Sequence, residues 1–247
     1  MIATRRLKVN RFLSRPASSF ATQFNESVGS LPMREAMRYK EKNMQWTAND
    51  FNKYSNNHAS ALLDLNFKAG ETMVLWMPEG PEKHVTMVAA AKMGMKIVDV
   101  DHEITDVAEI RKFLAAAKCK VIFFKQVHED ADYLLLLRKS IPEFFEYVDS
   151  HGQMFYSKHY PDLRYFVHTG FDLENGALNY KSLFLPNPTK DLLGDAIAAG
   201  SDAAPLYQQI TKDGKVGPEH TAAKILDHPS WWFAKNIVNR EFFEHDS

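Results

Sequence analysis

Residues 68–124 carry the feature that most constrains this chain, a strict alternation of short apolar runs with helix-length stretches. Residues 71–77 are almost all apolar, and Pro78-Glu79-Gly80-Pro81 then breaks the run. Pro81 suits the first turn of a helix, where its missing N–H is not needed. Residues 82–93 are nearly all helix formers and end at Gly94, and residues 96–100 form a second apolar run. The pattern then repeats. Thr105 is a helix cap with Asp106 in the first turn, Val107, Ile110, Leu114 and Ala117 form an apolar stripe, and residues 120–124 are a strand, wholly apolar after Lys120. Strands alternating with helices of this length predict βαβ units: an α/β fold, a parallel sheet with helices on both faces.

The flanking segments extend this plan. Residues 32–45, with Met33, Met37, Tyr39 and Met44 as apolar positions, read as a helix. Thr47 and Asp50 then form a capping pair ahead of Phe51, Tyr54, His58, Leu62 and Leu65, whose spacing marks one helix face. Residues 129–139 read as a further helix, residues 163–168 as a strand closed by Thr169-Gly170, and residues 204–210 as another strand.

Composition narrows the function classes. The net charge of −1 gives no general footprint for nucleic acid, and the single cysteine, Cys119, excludes an internal disulfide framework and a cysteine-based zinc site. No apolar run reaches the ~18 residues of a membrane span. The histidines make no metal-ligand spacing, and Asp99, Asp101, His102 and Glu103 read as a solvated strand end in preference to a cation site. There is no Gly-x-Ser-x-Gly elbow and no Gly-x-Gly-x-x-Gly fingerprint. Charge is distributed unevenly. Residues 1–24 hold Arg5, Arg6, Lys8, Arg11 and Arg15 and no acid, leaving −6 on the remainder. An Arg- and Ser-rich, acid-free N-terminus has the composition of a mitochondrial targeting segment. At the other end Trp231, Trp232, Phe233, Phe242 and Phe243 form an aromatic stretch that must be buried, on the chain's own sheet or on a partner.

Trp46-Thr47, the Leu62-Leu63-Asp64-Leu65 helix end, Lys68-Ala69-Gly70-Glu71, Pro78-Glu79-Gly80-Pro81-Glu82, the Ala-rich helix ending at Gly94 and Leu163-Arg164 with Thr169-Gly170 stand in an order that resembles the N-terminal part of the acyl-CoA synthetases, members of the adenylate-forming superfamily. The resemblance covers residues 33–221. It divides the chain into a basic arm (1–32), a synthetase-like α/β domain (33–221) and an aromatic tail (222–247). It also implies a phosphate-binding loop, rich in small residues and closed by Pro-Lys, at 207–221. Thr211, Gly214, Gly217 and Pro218 suit that loop, but Asp213 stands where a glycine is expected, Lys215 and Val216 replace a small residue and a glycine, and Glu219 replaces the lysine. Exchanging plus for minus beside a phosphate is a swing of about 2 kcal/mol per charge at 4 Å even in water. Lys212 and Lys215 remain as compensating cations. The family's adenine, magnesium and catalytic-lysine motifs follow that loop in a long C-terminal part, whereas this chain ends 26 residues after Thr221.

The resulting expectation is a pseudoenzyme without catalytic residues, cofactor or metal. It would serve as a structural or accessory subunit of a mitochondrial multiprotein complex, in the matrix or on the matrix side of the inner membrane. A respiratory-chain or ATP-synthase assembly is favoured over the mitochondrial ribosome. Other protein subunits are the expected partners, with membrane association only through them or lipid, and no nucleic acid. Arg5, Arg6, Arg11, Arg15, Trp231, Trp232, Phe242 and Phe243 are the candidate partner contacts. The alternative is a residual acyl- or nucleotide-binding protein, or half of a split acyl-CoA synthetase.

Overall fold

A computed structural model describes residues 19–149, 154–184 and 202–245. Its centre is the predicted alternation. β3 (Thr72–Trp76), α3 (Pro81–Met93), β4 (Lys96–Val100), α4 (Val107–Ala117) and β5 (Val121–Phe124) follow in sequence. Pro81 opens α3 and Gly94 closes it in the left-handed conformation at φ 69°, where glycine carries no Cβ penalty. The cap of α4 is Asp106, one residue beyond the expected Thr105; its carboxylate accepts the Ala108 and Glu109 N–H groups. β8 (Tyr165–His168), β9 (Leu178–Asn179) and β10 (Pro205–Ile210) join the same sheet, and β11 (Val216–Thr221) closes one edge. The seven-stranded order is β11-β10-β4-β3-β5-β8-β9, parallel throughout except for the antiparallel β11.

Strand alternation divides the core between the two faces. Met73, Leu75, Ile97, Val121 and Phe123 point to the face covered by α2 (Ala48–Asp64) and α3. Val74, Trp76, Val98, Val100, Ile122 and Phe124 point to the face covered by α4 and α5 (Tyr133–Ser140). α2 starts with the expected capping box, Thr47 and Asp50 bonding each other's backbone N–H.

Three segments depart from the sequence reading. Residues 32–45 are not a helix but a hairpin, β1 (Glu35–Tyr39) and β2 (Met44–Thr47), turning through Asn43 at φ 48°. The strand β12 (Phe243–His245) pairs in parallel with β1, so a partner about 200 residues away overrides the local helix pattern. Residues 129–139 are a helix only from Tyr133. The short hairpin β6 (Val127–His128) and β7 (Ala131–Asp132) takes the start, and Asp132 caps α5 by accepting from Leu135 N–H. The third departure joins the two chain ends. Ser19–Ser30, within the basic arm of the sequence reading, is a helix, α1, whose Phe20, Phe24 and Val28 are buried. It packs on α6 (Trp232–Asn239), so arm and tail share one core with the domain.

The buried histidines set the acid response of this fold. His58 on α2 and His168 at the end of β8 are fully buried, and burial lowers their pKa values to about 3 and about 4. Both are bases held below their ordinary 6.5, so the unfolded chain takes up protons first. Stability is therefore fully present above about pH 6.5 and falls as pH drops toward 3. Urea midpoints measured from pH 7 to 4 should decline over this window, and His58→Leu should flatten the slope. A slope unchanged by that substitution would exclude His58 as a source.

Candidate functional site

Ile210 ends β10 at the sheet's carboxyl edge, where open α/β sheets bind their ligands. The following residues make a tight turn between β10 and β11. Thr211 N–H donates to the Lys215 carbonyl at 3.0 Å, and Gly214 N–H donates to the Thr211 carbonyl at 2.8 Å with Gly214 at φ 71°. The Thr211 hydroxyl is taken by Asp213 Oδ1 at 2.5 Å. A phosphate cradle needs backbone N–H groups that converge on empty space; here those of Thr211 and Gly214 close the turn itself.

The charges complete the closure. Lys212 pairs with Glu103 and Lys215 with Asp213, so both lysines of the hairpin are engaged. Hydrogen bonds from Lys215 and Thr211 hold the Asp213 carboxyl down at about 2, so it is anionic at neutral pH. Glu219 lies in β11 opposite Gln208 and pairs with Lys96. Gly217 approaches its neighbour closely: a Cβ there would stand 3.2 Å from the Gln209 carbonyl. Pro218 is tolerated because β11 is an edge strand. Thr211, Asp213, Gly214, Gly217, Pro218 and Glu219 thus lie in one place, in a closed hairpin whose two lysines and two carboxylates balance.

A second constellation, absent from the sequence reading, lies under the carboxyl ends of β3, β4 and β10. Tyr39 O–H donates to His84 Nδ1 at 2.7 Å, and His84 Nε2–H donates to Glu79 Oε2 at 2.7 Å. Lys83 Nζ pairs with Glu79 Oε1 at 2.7 Å and with Asp99 Oδ1 at 2.9 Å, and Tyr207 O–H donates to Asp99 Oδ2 at 2.7 Å. Burial alone would raise the Glu79 carboxyl, but the bond from His84 and the Lys83 charge outweigh it and hold it well below the usual range. Burial would likewise lower Lys83, and Asp99 and Glu79 reverse this. Burial keeps His84 neutral, with both ring nitrogens in use, and pushes the Tyr39 and Tyr207 phenols up. Each ionised group has its counter-charge, and the Tyr39, His84 and Tyr207 protons each have an acceptor. The network ties β1, α3, β4 and β10 together and leaves no activated nucleophile. Asp99, read from the sequence as part of a solvated strand end, is instead buried, because Lys83 and Tyr207 reach its carboxylate; its interruption of the run Ile97-Val98-Asp99-Val100 was the one sequence signal of the network.

The aromatic candidates divide. Trp231 is fully buried in the chain's own core, edge-on to Phe20 at 5.4 Å and Tyr207 at 5.9 Å, which corrects its reading as a partner contact. Trp232 stacks on His245, and Phe243 packs beside it, both half-buried. Phe242 is the most exposed of the four and lies under Arg38. Arg5, Arg6, Arg11 and Arg15 lie outside the described residues. Among the described residues no three His, Cys, Asp or Glu side chains could hold a metal ion, and no helix is long and apolar enough to cross a membrane. Cys119 is buried and its thiol is pushed up to about 12 by burial.

Known structures share this fold. A putative long-chain-fatty-acid CoA ligase from Rhodopseudomonas palustris CGA009 superposes with a TM-score of 0.66 at 13% identity, over 92% of this chain and 57% of that one. Coronafacic acid ligase from Pectobacterium brasiliense gives 0.67 at 11% identity, over 92% and 45%. The anthranilate CoA ligase AuaEII, in complex with anthranoyl-AMP, gives 0.63 at 16%, over 83% and 35%. These likenesses establish the fold, and the chain spans between about a third and three fifths of those structures. No curated protein sequence matches it. The model of the AMP-binding enzyme family matches residues 24–158, more than half of the chain and including the three consecutive strands β3, β4 and β5 of the main sheet. The chain belongs to the AMP-binding enzyme family.

Proposed function

We propose that this chain is a non-catalytic member of its family and acts as a structural or accessory subunit of a mitochondrial multiprotein complex, a respiratory-chain or ATP-synthase assembly before the mitochondrial ribosome. The observation that carries the non-catalytic part is the closed hairpin after β10. Its Thr211 and Gly214 N–H groups bond within the turn, and Glu219 stands in place of the expected lysine. The acid-free, Arg-rich segment 1–24 supports the compartment. Membership of an assembly is supported by two loops of exposed apolar side chains, Phe145, Val148 and Tyr156 on one and Phe171 and Leu173 on the other. Gly176 N–H bonds the Asp149 carbonyl and joins these loops, which makes a surface of the kind that partners cover.

Gentle solubilisation of mitochondria, native separation and mass spectrometry test the role. Migration with an assembly far heavier than 28.3 kDa is expected; migration at the chain's own mass would sink the proposal. ATP–pyrophosphate exchange tests the chemistry. Background exchange is expected with any acid offered. It should stay at background in Glu219→Lys, since the restored charge does not free the N–H groups of the turn. Exchange above background in the unaltered chain would overturn the non-catalytic reading.

A further inference from the structure

Lys92, near the end of α3, is a buried lysine outside the network around Asp99, with 1% of its surface exposed. Its Nζ donates to Asn52 Oδ1 at 2.5 Å, Asn56 Oδ1 at 2.7 Å and Ser55 Oγ at 3.1 Å, all on one face of α2. The ring of Phe24 on α1 covers it at 5.0 Å. Ser55 gives its own hydroxyl proton to the Asn52 carbonyl at 2.9 Å, so it acts toward Lys92 as an acceptor. All three protons of the ammonium are therefore taken, but every partner is neutral.

The three helices around this amine bring it no counter-charge. On α1, Glu26 is exposed. On α2, Asp50 is held in the capping box, Lys53 and Asp64 are exposed, and His58 is neutral and turned toward Thr86. On α3, Glu82 is engaged by Lys42, Lys83 by Glu79 and Asp99, and His84 by Tyr39 and Glu79. An ammonium taken out of water without a carboxylate holds its proton weakly, and burial lowers the Lys92 pKa to about 7. The cover is the least anchored of the three helices. α1 has no acid in its first turn and no base in its last, and it is held by packing and by the bond from Ser27 Oγ to the Val238 carbonyl at 2.6 Å.

We propose that Lys92 makes α1 a pH-responsive clasp, which docks tightly on α2 and α3 when the amine is neutral and loosens when the amine is charged. With α1 lifted, Lys92 meets water and regains its ordinary pKa of 10.5. Between about pH 7 and 10.5 the undocked state then binds more protons than the docked one, so docking strengthens as pH rises through this window. His58 and His168 titrate below 6.5 and do not contribute there. The inference does not rest on the non-catalytic reading or on membership of an assembly.

Limited chymotrypsin digestion of the full chain tests it. Cleavage after Phe20 and Phe24 is scored against a free peptide of residues 19–30 in the same tube, which cancels the protease's own pH profile. The normalised rate should fall about tenfold from pH 7 to 8.5. Lys92→Met keeps the side-chain volume and removes the titrating amine, so cleavage should be slow and nearly constant over this range. Asn56→Asp keeps an oxygen at 56 and sets a carboxylate beside the ammonium; it should hold the proton on Lys92 across the window and flatten the profile by the opposite route. Both variants should keep a cooperative urea transition, because Asn52 and Asn56 are only partly buried and water can reach their oxygens. A flat profile in the unaltered chain would overturn the proposal. So would a fall that persists in Lys92→Met, or a parallel fall in cleavage after Phe123, which is fully buried in β5 and reports global unfolding.

Discussion

Truncating Trp231 to alanine is expected to lower the unfolding free energy by about 3–5 kcal/mol, as for other large-to-small changes at buried aromatic positions. The indole is wholly removed from solvent and touches Phe20 of α1, Tyr207 of β10 and Phe233 of α6, so it is the common contact of both chain ends with the main sheet. For a domain of this size the loss corresponds to a fall in Tm on the order of 10 °C. Its Nε1–H has no hydrogen-bond partner among the described residues. Trp231→Phe should therefore retain most of the stability, because it keeps the ring and removes a buried donor that nothing satisfies. Urea unfolding gives the magnitude, and limited proteolysis reports the location, with cleavage within residues 19–30 rising in the alanine variant. A loss below about 1 kcal/mol would mean that α1 and α6 are not held through this side chain.

Asp99→Ala is expected to be about as damaging for an electrostatic reason. It leaves Lys83 buried with Glu79 as its one remaining counter-charge and deprives Tyr207 of its acceptor. Breaking one side of a buried pair typically destabilises by about 3–5 kcal/mol, whereas replacing both partners is often close to neutral. The double variant Lys83→Met with Asp99→Asn should therefore recover most of the loss. It removes the orphaned ammonium and keeps an oxygen for Tyr207. Equal destabilisation of the single and double variants in urea would show that the site is governed by packing rather than by the charge pair.

Much of the fold was legible because its signals are local. The Pro81 start and Gly94 stop of α3, the Thr47 capping box of α2 and the apolar runs of β3, β4 and β5 are each set within a few residues. The turn between β10 and β11 was legible for the same reason, since Asp213-Gly214 is a local turn signal between two strand runs. The hairpin at 35–47 was not. Met33 and Met37 stand one helical turn apart, and only pairing with Phe243–His245 makes the segment a strand. Helix α1 was hidden by its place beside a basic segment; Phe20 and Phe24 mark its buried face once Trp231 is there to receive them.

The charged network was hidden more deeply. Glu79, Lys83 and Asp99 are ordinary letters in a chain that is one quarter charged, and only parallel pairing of β3, β4 and β10 brings them within hydrogen-bonding distance. Helix limits, strand runs and the β10–β11 turn follow from interactions between neighbours along the chain, which residue identity alone dictates. Counter-charges and the burial of Trp231 depend on contacts between distant segments, and no local pattern encodes which distant segment arrives.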